Sequence, residues 1–218
     1  IALSLLGVSA STQTKSKAIA LDKLTDAKPR NVKSEPATFK GKKALRVTDT
    51  APPTTGDGER LLLLTGTDFQ NGVIEVELAG DVLPNAGEGA RGFVGVAFRV
   101  QPEAAKYECL YLRPTNGRAD DQVRRNHSVQ YISYPEFPWQ RLRKEFPEKY
   151  ESYVDLVPSE WTKVRIEVSS VKAKLYVHGA AQPTLVVNDL KLGETKGAIG
   201  LWVGPGTVAH FTNLRVTQ

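Results

Sequence analysis

The 218-residue sequence contains no methionine and a single cysteine. One cysteine excludes an intrachain disulfide framework. Cys109, alternating with Glu108 and Leu110, reads as a small core residue, not a nucleophile. Three histidines, His127, His178 and His210, lie far apart with no metal-ligand spacing. No stretch approaches the roughly 18 apolar residues that a membrane-spanning helix needs. No run of Lys or Arg is long enough to track a nucleic acid. Helical periodicity is nearly absent, as are internal repeats and linkers rich in Gly, Ser or Pro. These exclusions leave one all-β domain, long enough to bury a core.

The first ten residues, Ile1 to Ala10, read as the apolar part of a secretory signal, with Val8 and Ala10 as small residues before a cleavage point. We therefore expect a secreted or periplasmic protein. Residues 1–17 are expected to be a signal remnant and polar lead, and 18–218 a single domain. Residues 11 to about 36 are polar and weakly patterned, with Ala18–Leu21 as a candidate edge strand. Beyond them, short alternating runs recur. VIEVELAG sets Ile74, Val76 and Leu78 against Glu75 and Glu77. Gly92–Val100 is strand-like with Gly95 inside it, where a bulge or the close approach of another backbone is expected. Lys106–Arg113 places Tyr107, Cys109, Tyr111 and Arg113 on one face and Glu108 and Leu110 on the other. Further strands are expected over Ser152–Val157, Trp161–Val168, Lys172–Val177, Thr184–Leu190, Gly197–Gly204 and Val208–Thr217. Short strands separated by Gly, Pro and Asn turns predict a β-sandwich or jelly roll.

The segment Tyr107–Tyr153 breaks this regularity. It holds six of the seven tyrosines, together with Trp139 and His127. Between Arg113 and Lys149 there are eight Lys/Arg against five Asp/Glu, about half of the net charge of +5. Ser128–Tyr134 alternates as a strand, and Trp139–Tyr150 suits one short helical turn. A long polar-aromatic segment set in a strand scaffold is the natural place for a binding surface.

The closing segments WTKVRIEVSSVKAKLYVHGAAQP and GAIGLWVGPGTVAHFTNLRV resemble the concanavalin-A-like, laminin-G-like sandwich superfamily. With FQNGVIEVELAG, RGFVGVAFRV and YECLYLRP, they are similar to the 3-keto-disaccharide hydrolase family, formerly a domain of unknown function. The resemblance implies a concanavalin-A-like jelly roll of two antiparallel sheets, and the segment around 113–150 reads as a long insertion by which this chain departs from the family. It also implies a hydrolase or lyase acting on a glycoside or 3-keto-glycoside. The alternatives are a non-catalytic carbohydrate-binding module and a laminin-G-like interaction module.

Sugars are held by rings stacked on pyranose faces and by planar polar groups paired with adjacent hydroxyls. Tyr131, Tyr134 and Trp139 are the candidate platforms, with Tyr111 beside them and Trp202 as a wall. Asp120, Asp121, Arg124, Arg125, Asn126 and Gln130 are the candidate hydrogen-bonding groups. For catalysis Glu108 and His127 are the candidate acid/base pair, and Arg99, Arg113, Arg124 and Arg125 the clamp for developing negative charge. The strand motif E-x-D-x-x-E of laminarinase-like hydrolases is absent, which argues against a classical retaining mechanism. No cofactor is certain. Calcium on oxygen ligands from Asp120, Asp121 or the Asp57 loop is the candidate. The expected partner is a carbohydrate, with no nucleic acid and no membrane span. The sequence carries no signal of oligomeric state.

Overall fold

The computed structural model describes residues 15–218, so the signal-like Ile1–Ala10 lies outside the described residues. The chain is a jelly-roll sandwich of two antiparallel sheets. In order, the strands are β1 (Ser16–Ile19), β2 (Ala27–Arg30), β3 (Val32–Phe39), β4 (Lys42–Asp49), β5 (Leu61–Phe69), β6 (Gly72–Val82), β7 (Val94–Val100) and β8 (Tyr107–Leu112). After helix α1 (Gln122–Asn126) come β9 (Val129–Tyr134), helix α2 (Trp139–Glu145) and β10 (Glu151–Ser152). The chain closes with β11 (Thr162–Ser169), β12 (Lys172–Val177), β13 (Leu185–Val187), β14 (Gly197–Val203) and β15 (Thr207–Thr217).

One sheet runs β13-β12-β11-β6-β15-β4-β3. β15 pairs with β4 through Val208–Phe211 and with β1 through Leu214–Thr217. The other sheet runs β10-β9-β8-β7-β14-β5-β2. In the first sheet the alternation behaves as the sequence predicts. Ile74, Val76 and Leu78 enter the core and stand opposite Ile166, Val164 and Thr162. On the outer face Glu77 faces Lys163 and Glu75 faces Arg165, so each cross-strand pair joins opposite charges. Between the sheets lie Phe69 and Phe98, edge to face at 6.3 Å, and the fully buried Phe211.

Three regions differ from expectation. The polar lead contains β2 and β3, which carry Pro29 and Pro36 and mostly solvent-facing side chains. Both are edge strands, where a missing N–H breaks no ladder, so their sequence lacks a core signature. The expected strand Ser152–Val157 pairs only through Glu151–Ser152. Beyond it the hydroxyl of Ser128 accepts from the Val154 amide at 2.8 Å, replacing the backbone partner that would continue a ladder. The helical turn expected after Trp139 is the longer α2, anchored by the buried Leu142.

β7 and β8 are buried at every residue. One face packs on the core, so the other must be covered as well. The loops around 50–60 and 83–93 and the 113–150 segment cover it, and leave a cleft between them.

Candidate functional site

The floor of the cleft is set by register. Trp202 stands opposite Gly95, Gly95 opposite Tyr111, Tyr111 opposite Gln130, and Gln130 opposite Glu151. This single row crosses β14, β7, β8, β9 and β10. Directly opposed residues share a face, so all five point away from the core. Gly95 leaves a gap in the row. Tyr111 and Trp202 lean over it from both sides, with ring centroids 4.6 Å apart. The Trp202 indole donates to the Tyr107 hydroxyl at 3.1 Å, and that hydroxyl donates to the Gly58 carbonyl.

Arg113 follows β8 and folds back along the row. Its guanidinium donates to the Tyr111 hydroxyl at 2.9 Å, Gln130 Oε1 at 3.1 Å and the His127 carbonyl at 2.8 Å. Glu151 Oε1 lies 3.5 Å away, and the Glu151 side chain is 4% exposed. Arg143 on α2 closes on the same carboxylate with two N–H groups, Nε at 2.9 Å from Oε2 and a second on Oε1. His127 Nε2 is 3.6 Å from Oε2. One buried carboxylate therefore gathers two guanidinium groups and an imidazole. Burial holds the His127 pKa below its ordinary value, with Arg143 and Arg113 pushing the same way and Glu151 opposing them. These influences together favour the neutral imidazole.

The cleft encloses about 880 Å³, within the usual size of small-ligand sites. Trp139 opens α2 and stands on one wall. Its indole donates to Asp57 Oδ2 at 3.0 Å, which joins α2 to the β4–β5 loop. Its ring lies against Arg143, whose Cζ is 4.6 Å from the ring centroid. On the loop side, the fully enclosed Arg60 holds Asp49 Oδ1 at 2.8 Å and the Gly56 carbonyl at 2.8 Å, which fixes the loop. Phe93 and Arg91 complete the wall next to the β6–β7 loop. Tyr111 and Trp202 are each only 2% exposed. They form the floor, while Phe93, Tyr134 and Trp139 keep ring surface open to a ligand.

Of the residues singled out in the sequence, Tyr111, Arg113, Arg124, His127, Tyr134, Trp139 and Trp202 line this cleft. Gln130 lies beneath it as a support for Arg113. The others lie elsewhere. Glu108 faces the core, where its oxygens accept from the Tyr131 hydroxyl and the Leu192 amide, each at 2.7 Å. Burial pushes its pKa up, while those hydrogen bonds pull it down. Tyr131 shares that core-facing side and is no stacking platform. Glu108 and His127 are on opposite faces of the sheet, so they cannot act as an acid/base pair on one substrate. Strand alternation forces this separation. Arg99 is buried away from the cleft and ties three loops together through the Gln70, Ser170 and Gly193 carbonyls. Asp121 caps α1 through the Arg124 amide at 2.8 Å. Arg125 pairs with the Tyr153 hydroxyl, and Asn126 with Gln122. Asp120 is exposed outside the cleft. Among the described residues no three His, Cys, Asp or Glu side chains gather as a metal site. Of the carboxylates named for calcium, Asp121 and Asp57 already accept from Arg124 and Trp139.

The residues that sequence reasoning missed are Glu151, Arg143, Arg91 and Arg60. Glu151 is 38 positions from Arg113 and looks like one more surface acid. Only the β8-β9-β10 register reveals it.

The molecule is thus a jelly-roll sandwich with an arginine- and aromatic-lined cleft over the outer face of one sheet. No family model matches the chain, and no curated protein matches it. Solved structures do. The fold is similar to carbohydrate binding module CBM66 from Bacillus subtilis, with TM-score 0.58 and 14% identity over 89% of this chain and 97% of that one. It is also similar to a Bacillus subtilis protein of unknown function with a galectin-like fold, with TM-score 0.54 and 11% identity over 88% of this chain and 89% of that one. A sialidase matches with TM-score 0.54 and 9% identity, over 93% of this chain but 18% of that one. At these identities the likeness is one of fold. Among the described residues no helix is long and apolar enough to cross a membrane.

Proposed function

We propose that the protein binds carbohydrate in the cleft over the β10–β2 sheet, and that it is exported, as the Ile1–Ala10 pattern suggests. The observation that carries the reading is the pairing of a fixed guanidinium with open rings. Arg113 is oriented by Tyr111, Gln130, the His127 carbonyl and Glu151, and lies 5.8 Å from the Trp139 ring centroid and 5.9 Å from that of Phe93. A sugar ring laid on an aromatic face beside a preset planar donor gains stacking and hydrogen bonds together. The fold's likeness to a carbohydrate binding module agrees with this. Binding is favoured over hydrolysis because the carboxylates at the cleft are committed. Asp49 is held by Arg60, Glu151 by Arg143 and Arg113, and Asp57 by Trp139. Trp139→Ala is expected to weaken glycan binding by roughly ten-fold or more, the loss of one stacked ring, and to lower the melting temperature modestly, because the tie to Asp57 is lost. Calorimetric titration against glycans that bind the wild type is the check. Wild-type affinity in the variant would sink the reading.

A second reading follows from His127. A neutral imidazole in the cleft, beside Arg113 and Arg143, has the base-and-clamp arrangement that elimination from a 3-keto-glycoside requires. In that case turnover of a 3-keto-disaccharide is flat at neutral pH. It falls on the acid side at a pH below the ordinary histidine value, because protonation removes the base. His127→Ala abolishes it. Absence of any turnover by the wild type leaves the binding reading alone.

A further inference from the structure

The charges of the cleft lead beyond generic sugar recognition. Five arginines line it, Arg60, Arg91, Arg113, Arg124 and Arg143, and no lysine does. Arg60 is neutralised by Asp49, whose Oδ2 also accepts from the Gly206 amide at 2.8 Å. Arg113 and Arg143 share the one carboxylate of Glu151. Arg91 reaches only the carbonyl oxygens of Glu88 and Ala90. Among the described residues neither Arg91 nor Arg124 has a carboxylate within ion-pair distance, and the Arg124 side chain has no hydrogen-bond partner. The remaining acid on the wall, Asp57, is turned to the Trp139 indole. Arg124, exposed at the cleft mouth, and Arg113 add positive charge beside the half-buried Arg91, whose pKa burial also lowers.

A neutral sugar would give these guanidinium groups hydroxyl partners but no opposite charge. An oxyanion would supply that opposite charge. Carboxylate and sulfate both match the planar two-donor edge of a guanidinium, an edge that lysine lacks. Resting on the carbohydrate reading above, we propose that the cleft selects acidic glycans, with Arg91 and Arg124 taking the oxyanion while Trp139 and Phe93 take the sugar ring. The oxyanion chemistry is shared by uronate carboxylates and by sulfate esters.

The test titrates the full chain with two matched pairs: oligogalacturonate against its methyl ester, and a sulfated galactan oligosaccharide against its desulfated form. At least one acidic member is expected to bind ten-fold or more tighter than its neutral partner, with the advantage shrinking as salt rises. Which pair shows it assigns carboxylate or sulfate. The double variant Arg91→Gln/Arg124→Gln is expected to lose that preference while melting as the wild type does. Equal affinity within both pairs, or a preference that survives in the folded double variant, overturns the proposal. If the neutral members bind and Trp139→Ala weakens them, the carbohydrate reading stands without it. If no member binds, both fall together.

Discussion

Replacing Glu151 with alanine is expected to destabilise the protein by about 3–5 kcal/mol, the usual consequence of removing one partner from a buried ion pair. The reason lies less in the lost attraction than in what stays behind. Arg113 has a side chain 5% exposed and keeps a fixed positive charge. Its other partners, the Tyr111 hydroxyl, Gln130 Oε1 and the His127 carbonyl, are neutral dipoles. Arg143 would lose both of its charge-assisted bonds, and α2 with them its tie to β10. Glu151→Gln keeps an oxygen acceptor and is expected to lose less. For a chain of this length each kcal/mol lowers the melting temperature by roughly 2–4 °C, so calorimetry resolves the two variants. The Arg118–Asp155 pair offers a contrast. Its geometry is also two-pronged, at 2.7 and 2.8 Å, but both partners are more than half exposed and Arg118→Ala is expected to leave stability nearly unchanged. If Glu151→Ala melts no lower than Arg118→Ala, the network does not support the cleft.

Gly95→Ala is the second large effect, and it runs against intuition. Glycine within a strand ordinarily costs about 0.5–1 kcal/mol relative to alanine. Here a Cβ would stand 2.4 Å from the Leu110 carbonyl oxygen and 2.6 Å from Tyr111 Cα. Both are backbone atoms held in the central ladder, so neither can swing aside. The cost is expected near the top of the range for overpacking, about 3 kcal/mol. A functional loss should accompany it, because the methyl group would occupy the gap that lets Tyr111 and Trp202 meet. Near-ultraviolet circular dichroism reads the displaced rings, and thermal melting reads the stability. An alanine variant as stable as the wild type, with an unchanged aromatic spectrum, would show that the floor does not depend on this glycine.

How much of this was legible in the sequence follows from the kind of force at work. β11, β12 and β15 were readable because they bury one face and expose more of the other, and period two records that in the residues. β2 and β3 were not, since edge strands with prolines bury little and leave almost no pattern. The site divides in the same way. Tyr111, Arg113, Trp139 and Trp202 stood out as rings and charges of types that sites favour. The pair Glu108 and His127 failed on a rule already visible. Alternation along β8 sets Glu108 opposite Tyr111, hence towards the core. Glu151 lay beyond reach for another reason. Its role comes from the pairing of strands distant in sequence, and no local pattern encodes which residue will face Gln130.

The prolines that hid the lead strands also shape how the molecule meets its own copies. Among the described residues, the sheet borders are β2, β3, β10 and β13, with the four-residue β1 as a fifth beside β15. β10 is two residues long, β13 three and β2 four with Pro29 inside it, while the eight-residue β3 is interrupted by Pro36. An unpaired border is a template on which another chain can add a strand, the first step towards aggregation. None of these borders offers a long uninterrupted row of donors and acceptors. Growth of the sandwich into a larger sheet, strand on strand, is therefore disfavoured at each of these borders.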